Sequence, residues 1–153
     1  MTKTKYRILT EPVGHAYKEA IDTIAPLTAS LSFSQQKGLV FNSKCTAFLE
    51  KIRDDLVEVS EQSEWPGTRL LNTTAPVCRY RLSPILTAIV KDSVGGLYDW
   101  SYPDFPEGLA FYRADGSVLL GSCSHERFAF LELCDDEFLV LNSVLAIREF
   151  EQN

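Results

Sequence analysis

The sequence predicts an α+β fold: a mostly antiparallel sheet of five or six strands, with about four helices packed chiefly on one face. Three observations predict it. Asp115-Gly116 joins two β-rich runs, and such a pair tolerates the positive φ that a tight hairpin needs. Apolar alternation of period two recurs along the chain between stretches of helical spacing. The 153 residues contain no internal repeat, low-complexity tract or composition break, which suits a single domain, 1–153. Strands interleaved with helices would also suit a parallel α/β sheet, but the tight hairpin argues for antiparallel pairing at least at the C-terminal end.

The elements follow in order. Gly14 to Ala25 reads as a first helix, with Tyr17, Ala20, Ile21 and Ile24 on one face and Pro26 ending it. Leu27, Ala29, Leu31 and Phe33 then alternate with Thr28, Ser30 and Ser32, a half-buried strand with a hydroxyl face. After a polar turn at Gln35 to Gly38, Asn42 or Ser43 caps a second helix bearing Cys45, Phe48, Leu49 and Ile52. That helix is expected to reach about Asp55, where Val57 and Val59 begin a short strand to about Gln62. Trp65-Pro66-Gly67-Thr68 is a turn by composition.

Pro76 to Leu82 is a strand with Cys78, Tyr80 and Leu82 on one face. Ser83-Pro84 starts a third helix: a side-chain cap, then a proline whose missing N–H costs nothing there. Its buried stripe is Ile85, Leu86, Ile89 and Val90, and Gly95-Gly96 is expected to stop it in a left-handed cap. Leu97 to Gly108 is a long loop rich in aromatics and proline. Leu109 to Arg113 and Ser117 to Cys123 form the hairpin arms, and Arg127 to Leu133 a further strand. Asp135-Asp136-Glu137 places negative charge at the start of a last helix, which Phe138, Leu141, Val144, Leu145 and Arg148 continue. Met1 to Lys5 and Glu151 to Asn153 are expected to be disordered.

Composition bounds the function. Hydrophobic residues make up 45% and charged residues 24%, ordinary globular usage. The net charge of −6 repels phosphate backbones, so nucleic acid is not an expected partner, whereas a basic partner would be attracted. The basic start of the chain has no apolar segment behind it, and no apolar run approaches the length of a membrane span. A cytoplasmic location without membrane association is therefore expected. Cys45, Cys78, Cys123 and Cys134 form no C-x-x-C pair and read as buried free thiols.

Three segments carry a resemblance: Glu61-Gln62-Ser63-Glu64-Trp65-Pro66-Gly67-Thr68; Gly96-Leu97-Tyr98-Asp99-Trp100; and Pro106 through Ser117 running on to Ser124-His125-Glu126-Arg127. In order and spacing they resemble a family of small bacterial proteins of uncharacterised function, over roughly Leu27 to Leu141. The chain departs from that pattern at Gly108, where an acidic residue is more usual, and near Leu119. The resemblance implies a compact bacterial cytosolic domain and supplies no catalytic residue.

Two regions carry candidate chemistry. His125 with Glu126 or Cys123 provides a titrating imidazole beside a carboxylate or thiol, the raw material of a general base or an activated nucleophile. The same residues also suit an ion-paired turn. Cys123, His125 and Cys134, with His15, Cys45 or Cys78 as a fourth, match no standard zinc spacing, so neither metal nor cofactor is expected. The second region is the aromatic loop. Tyr98, Asp99, Trp100 and Tyr102, with Trp65, Arg113 and His125, are the binding candidates, since amphipathic rings suit a protein partner or small ligand. They equally suit a loop packing its own side chains. Arg69, Arg79, Arg81 and Arg113 could clamp an anion or pair with Asp99, Glu107 and Glu126.

The first expectation is a non-enzymatic binding or interaction protein, in the manner of an immunity or antitoxin protein. The alternatives are a small enzyme using His125 with Glu126 or Cys123, and a small-ligand-binding domain using the aromatic loop. The oligomeric state is left open. Any site is expected where the flank ending at Glu107 meets the His125-Glu126 turn.

Overall fold

The computed structural model describes residues 2–151. In chain order the elements are β1 (Thr4–Ile8), α1 (His15–Ile24), β2 (Ser30–Ser34), α2 (Ser43–Ile52), β3 (Leu56–Gln62), β4 (Glu64–Trp65), β5 (Thr68–Arg69) and β6 (Ala75–Arg81). They continue with α3 (Pro84–Ser93), β7 (Glu107–Tyr112), β8 (Val118–Cys123), β9 (Phe128–Leu133), α4 (Asp135–Leu141) and β10 (Ile147–Glu149). The fold is α+β, with four helices on a large sheet of eight strands instead of five or six. The order is β10-β1-β9-β8-β7-β2-β6-β3, and every neighbouring pair is antiparallel.

The two strands beyond expectation lie together at one edge. Thr4 and Lys5, expected to be disordered, pair with Leu133 and Glu132 in β1. Tyr6 and Ile8 alternate with Lys5 and Arg7, but five residues at a terminus give a weak signal. Met1, Gln152 and Asn153 lie outside the described residues. At the other end, α4 stops at Leu141, and Ile147 to Glu149 form β10 where helix was expected through Arg148. The stripe misled because a turn preserves it. Leu145 N–H donates to the Leu141 carbonyl at 2.9 Å, so both leucines face the core as they would on a helix.

Register sorts the sheet into two faces. Leu31 opposes both Tyr80 and Phe111, and Leu120 opposes Leu131. These residues join one core with Tyr17, Ile21 and Ile24 of α1, Phe48 and Ile52 of α2, Leu86 and Val90 of α3, and Leu141 of α4. Burying each such side chain contributes roughly 1.5–3 kcal/mol. Local chemistry fixes the helix starts as expected: Asn42 Oδ1 accepts from the Lys44 and Cys45 N–H groups, and Ser83 Oγ from the Leu86 N–H. Two details differ. Ile85 is 72% exposed, because the core-facing stripe of α3 runs through Leu86 and Val90. The helix is also not stopped by a left-handed glycine: Val94 leaves it in extended backbone, and Gly96 at φ −154° bridges Val13. A Cβ there would lie 2.8 Å from Glu11 Oε2 and 2.9 Å from Val13 Cγ1, so a larger residue would have to displace these two side chains.

The opposite face carries the β4–β5 hairpin. Pro66 followed by Gly67 at φ 94° fits a type II turn. The hairpin lies so close to β8 that a Cβ on Gly67 would come 2.5 Å from the Ser122 carbonyl oxygen. A satellite cluster of Trp65, Ala75 and Val77 forms beneath it. Ser32, on the expected hydroxyl face, and Ser34 beyond it are buried, and Ser32 Oγ lies 2.9 Å from the Tyr112 hydroxyl. The Asp115-Gly116 connection joins β7 to β8 as expected. Only Gly116 takes positive φ (88°), and Asp115 instead accepts hydrogen bonds from the Ser117 N–H and hydroxyl.

Candidate functional site

The candidate site forms where β7 begins, β8 ends and the β4–β5 hairpin crosses them. It starts with an irregularity in β7. Ser32 opposes Ala110 but Ser34 opposes Glu107, so β7 carries an extra residue in this interval. A bulge of this kind re-aims a side chain. Gly108 makes it possible: its φ is 67°, and a Cβ there would lie 2.7 Å from Ser34 Oγ and 2.8 Å from Trp65 Nε1. The result brings Glu107 to Ser101 and His125.

Glu107 is only 2% exposed. Its Oε1 lies 3.7 Å from His125 Nδ1 and accepts a long 3.5 Å hydrogen bond from the Ser101 hydroxyl. Its Oε2 has no partner among the described residues. Burial pushes the carboxyl above its ordinary range, and the nearby His125, Ser101 and Tyr102 backbone offset this only in part. Three further buried polar atoms without partners are Ser34 Oγ, Trp65 Nε1 and Ser124 Oγ. The first two flank Gly108, and Ser124 adjoins His125 in sequence. Orphaned buried groups are rare, and each costs about 1–3 kcal/mol. Their concentration at one end of the sheet singles this region out.

Beyond β8 the chain makes a 3₁₀ turn, Ser124–Glu126, closed by Arg127 in left-handed backbone at φ 52°. His125 therefore sits on this turn and not on a strand, with half its side chain exposed. Both ring nitrogens approach Cys123 Sγ, Nδ1 at 3.8 Å and Nε2 at 3.7 Å. The donor atoms of Cys123, His125 and Glu126 all lie within 4.8 Å of one another. Burial pushes the Cys123 thiol up; the Thr68 hydroxyl lowers it, and the Glu126 charge raises it further. A thiol held this way is a poor nucleophile on its own.

The other sequence candidates lie elsewhere. Trp100 is wholly buried, packed on Phe33, Phe48 and Phe105, and donates from Nε1 to the Tyr17 hydroxyl at 3.1 Å. Tyr98 is buried, and its backbone N–H donates to Glu11. Trp65 is buried beneath the hairpin. These rings close the fold and do not face solvent. Asp99 caps the loop, accepting from the Gly95 and Gly96 N–H groups. Tyr102 stays 42% exposed and lines an open groove with Lys44, Ser101 and Asp104.

Arg113 is held at the opposite end of β7. It donates to both carboxylate oxygens of Glu137 at 2.6 and 2.9 Å, to Ser117 Oγ, and to the Val118 and Glu132 carbonyls. Arg79 pairs with Glu58 and Arg81 with Asp55, so these two, like Arg113, meet acids other than those expected. All four cysteines are free and buried. Cys134 follows β9, whose first residue opposes Cys123, so six residues of strand separate the pair, about 20 Å. That distance rules out the Cys123, His125 and Cys134 ligand set. Among the described residues no helix is long and apolar enough to cross a membrane.

Sequence reasoning gave Glu107 only a pairing role. Its signal was available: one acid between Pro106 and Gly108, opening the apolar run Leu109-Ala110-Phe111. No protein-family model, curated protein or solved structure matches the chain.

Proposed function

We propose that this is a non-enzymatic binding protein that receives a cationic group between Glu107, His125 and Glu126. One observation carries the reading: among the described residues, the buried Glu107 carboxyl has one oxygen unpartnered and no lysine or arginine paired with it. An ionised buried carboxylate is expensive unless a positive charge or several donors satisfy it. A bound cation supplies that charge. The net charge of −6 favours the approach of such a ligand. An immunity- or antitoxin-type role, with a basic protein as partner, is the biological form of this reading, and co-purification with one stable partner supports it. Membership of the small bacterial family resembled by the three sequence segments belongs to the same proposal.

The test is a thermal-shift panel of divalent metals, amines, guanidines and basic peptides on the wild type and Glu107→Gln. A ligand at a hundredfold excess over its Kd stabilises by about 2.7 kcal/mol, a rise of roughly 5–10 °C for a domain of this size. The wild type responds to at least one member, and Glu107→Gln responds more weakly. A panel without response, or an equal response from both proteins, overturns the reading.

A second reading is a small enzyme using His125 with Cys123 or Glu126. The 3.7 Å approach of His125 Nε2 to Cys123 Sγ favours it. The raised thiol opposes it, because the thiolate is the nucleophile. It requires a turnover that His125→Ala abolishes without altering the fold.

A further inference from the structure

Cys123, His125 and Glu126 bring a thiol, an imidazole and a carboxylate from one strand end and one turn to within 4.8 Å of one another. We propose that these three residues bind a zinc ion, with Glu107 orienting the His125 ring and the fourth position open. The inference rests on the cation-binding reading above, names its cation, and seats it on the Cys123 side of His125, with Glu107 against the ring and not on the ion.

One ligand spacing matches this assignment, and the three donors together lie within 4.8 Å. A tetrahedral zinc ion with ligands at about 2.0–2.3 Å sets its donor atoms roughly 3.3–3.8 Å apart. His125 Nε2 lies 3.7 Å from Cys123 Sγ. The other nitrogen, Nδ1, lies 3.8 Å from Cys123 Sγ and 3.7 Å from Glu107 Oε1, so it is the Glu107 contact that assigns Nε2 to the ion. A histidine that ligates through one nitrogen characteristically offers the other N–H to a carboxylate, which fixes its tautomer and orientation. Glu107 has the right position for that role, and its side chain is only 3% exposed. Its unpartnered Oε2 is a second observation, independent of the three ligands: a buried carboxyl oxygen beside the cluster has no hydrogen-bond partner among the described residues.

The donor set selects the ion. A thiolate with an imidazole and a carboxylate suits zinc, whereas magnesium and calcium take oxygen ligands. Binding replaces the Cys123 S–H bond by a zinc–sulfur bond and releases the proton to solvent. His125 and Glu126 are exposed, so the ion has an entry path. The three protein ligands leave one position for water or a ligand donor, the arrangement of an open zinc site.

The experiment is zinc titration of the reduced full-length chain by equilibrium dialysis, followed by cobalt substitution to detect thiolate-to-metal charge transfer. The wild type binds one zinc ion per chain and shows the charge-transfer band. Cys123→Ser loses the band, and His125→Ala, a turn substitution that leaves the core intact, loses the ion. Glu107→Gln weakens zinc about 10–100-fold. Cys134→Ser binds as the wild type does. No zinc bound by folded wild type, or a band that survives in Cys123→Ser, overturns the inference. If zinc fails while an amine or guanidine still stabilises the wild type through Glu107, only this inference falls. If no cation binds, the reading beneath it falls as well.

Discussion

Arg113 places every guanidinium nitrogen against an acceptor, and Glu137 answers with both carboxylate oxygens. The pair lies far from the candidate site, so it separates structural charge from functional charge. Arg113→Ala leaves Glu137 and two carbonyls without their donor. It should cost about 3 kcal/mol, read as a melting temperature lower by roughly 6–12 °C. Burial alone would raise the Glu137 carboxyl, but Arg113 and the Cys134 N–H outweigh it and hold it below its ordinary 4.5. A lowered carboxyl binds protons less well folded than unfolded. Its contribution is therefore complete above that value and is lost as pH falls through the folded-state value. Urea unfolding across the acid range should show a shallower loss of stability in Glu137→Gln than in the wild type. Both residues were legible one by one, Arg113 as a candidate binder and Glu137 as a helix-start acid. Their pairing was not, because it joins positions 24 apart through the hairpin. Glu107 was harder to read: nothing local announces that a bulge will bring its side chain to Ser101 and His125.

At the scale of elements, the β4–β5 hairpin is the part most sensitive to glycine. Gly67→Ala places a methyl group 2.5 Å from the Ser122 carbonyl oxygen, at a φ that L-residues rarely adopt. Backbone cannot yield as a flexible side chain does, so the hairpin lifts from β8. Trp65 then meets solvent, and a red shift in tryptophan fluorescence reports it, since Trp100 stays enclosed by Phe33, Phe48 and Phe105. An unshifted spectrum with unchanged stability contradicts this packing. Gly108→Ala adds positive-φ strain to contact with Ser34 and Trp65, and should cost at least about 1–3 kcal/mol. The internal elements were legible because caps and apolar periodicity agree there: Asn42 with Phe48 and Ile52, Ser83 with Leu86 and Val90. The terminal strands were not. Thr4–Ile8 and Ile147–Glu149 gain their stability from pairing with each other and with β9, contacts that span nearly the whole chain.

At the scale of the whole molecule, the sheet has one face committed to helices and the other partly covered by a hairpin. The margin where β7 starts and β8 ends keeps polar groups that the fold leaves unsatisfied. The sequence placed a site where the Glu107 flank meets the His125-Glu126 turn, and the topology brings those flanks together. It left open whether Trp65, Tyr98 and Trp100 would be enclosed, because aromatic side chains with polar tips serve a core and a binding surface equally well. A carboxylate kept for a ligand costs stability when the ligand is absent. The most direct measurement is therefore the set of melting temperatures of wild type and Glu107→Gln, each with and without saturating zinc. Glu107→Gln alone should melt above the wild type, and the order should reverse once zinc is added. A variant that melts below the wild type while responding to zinc as the wild type does contradicts the account, and makes Glu107 a structural residue.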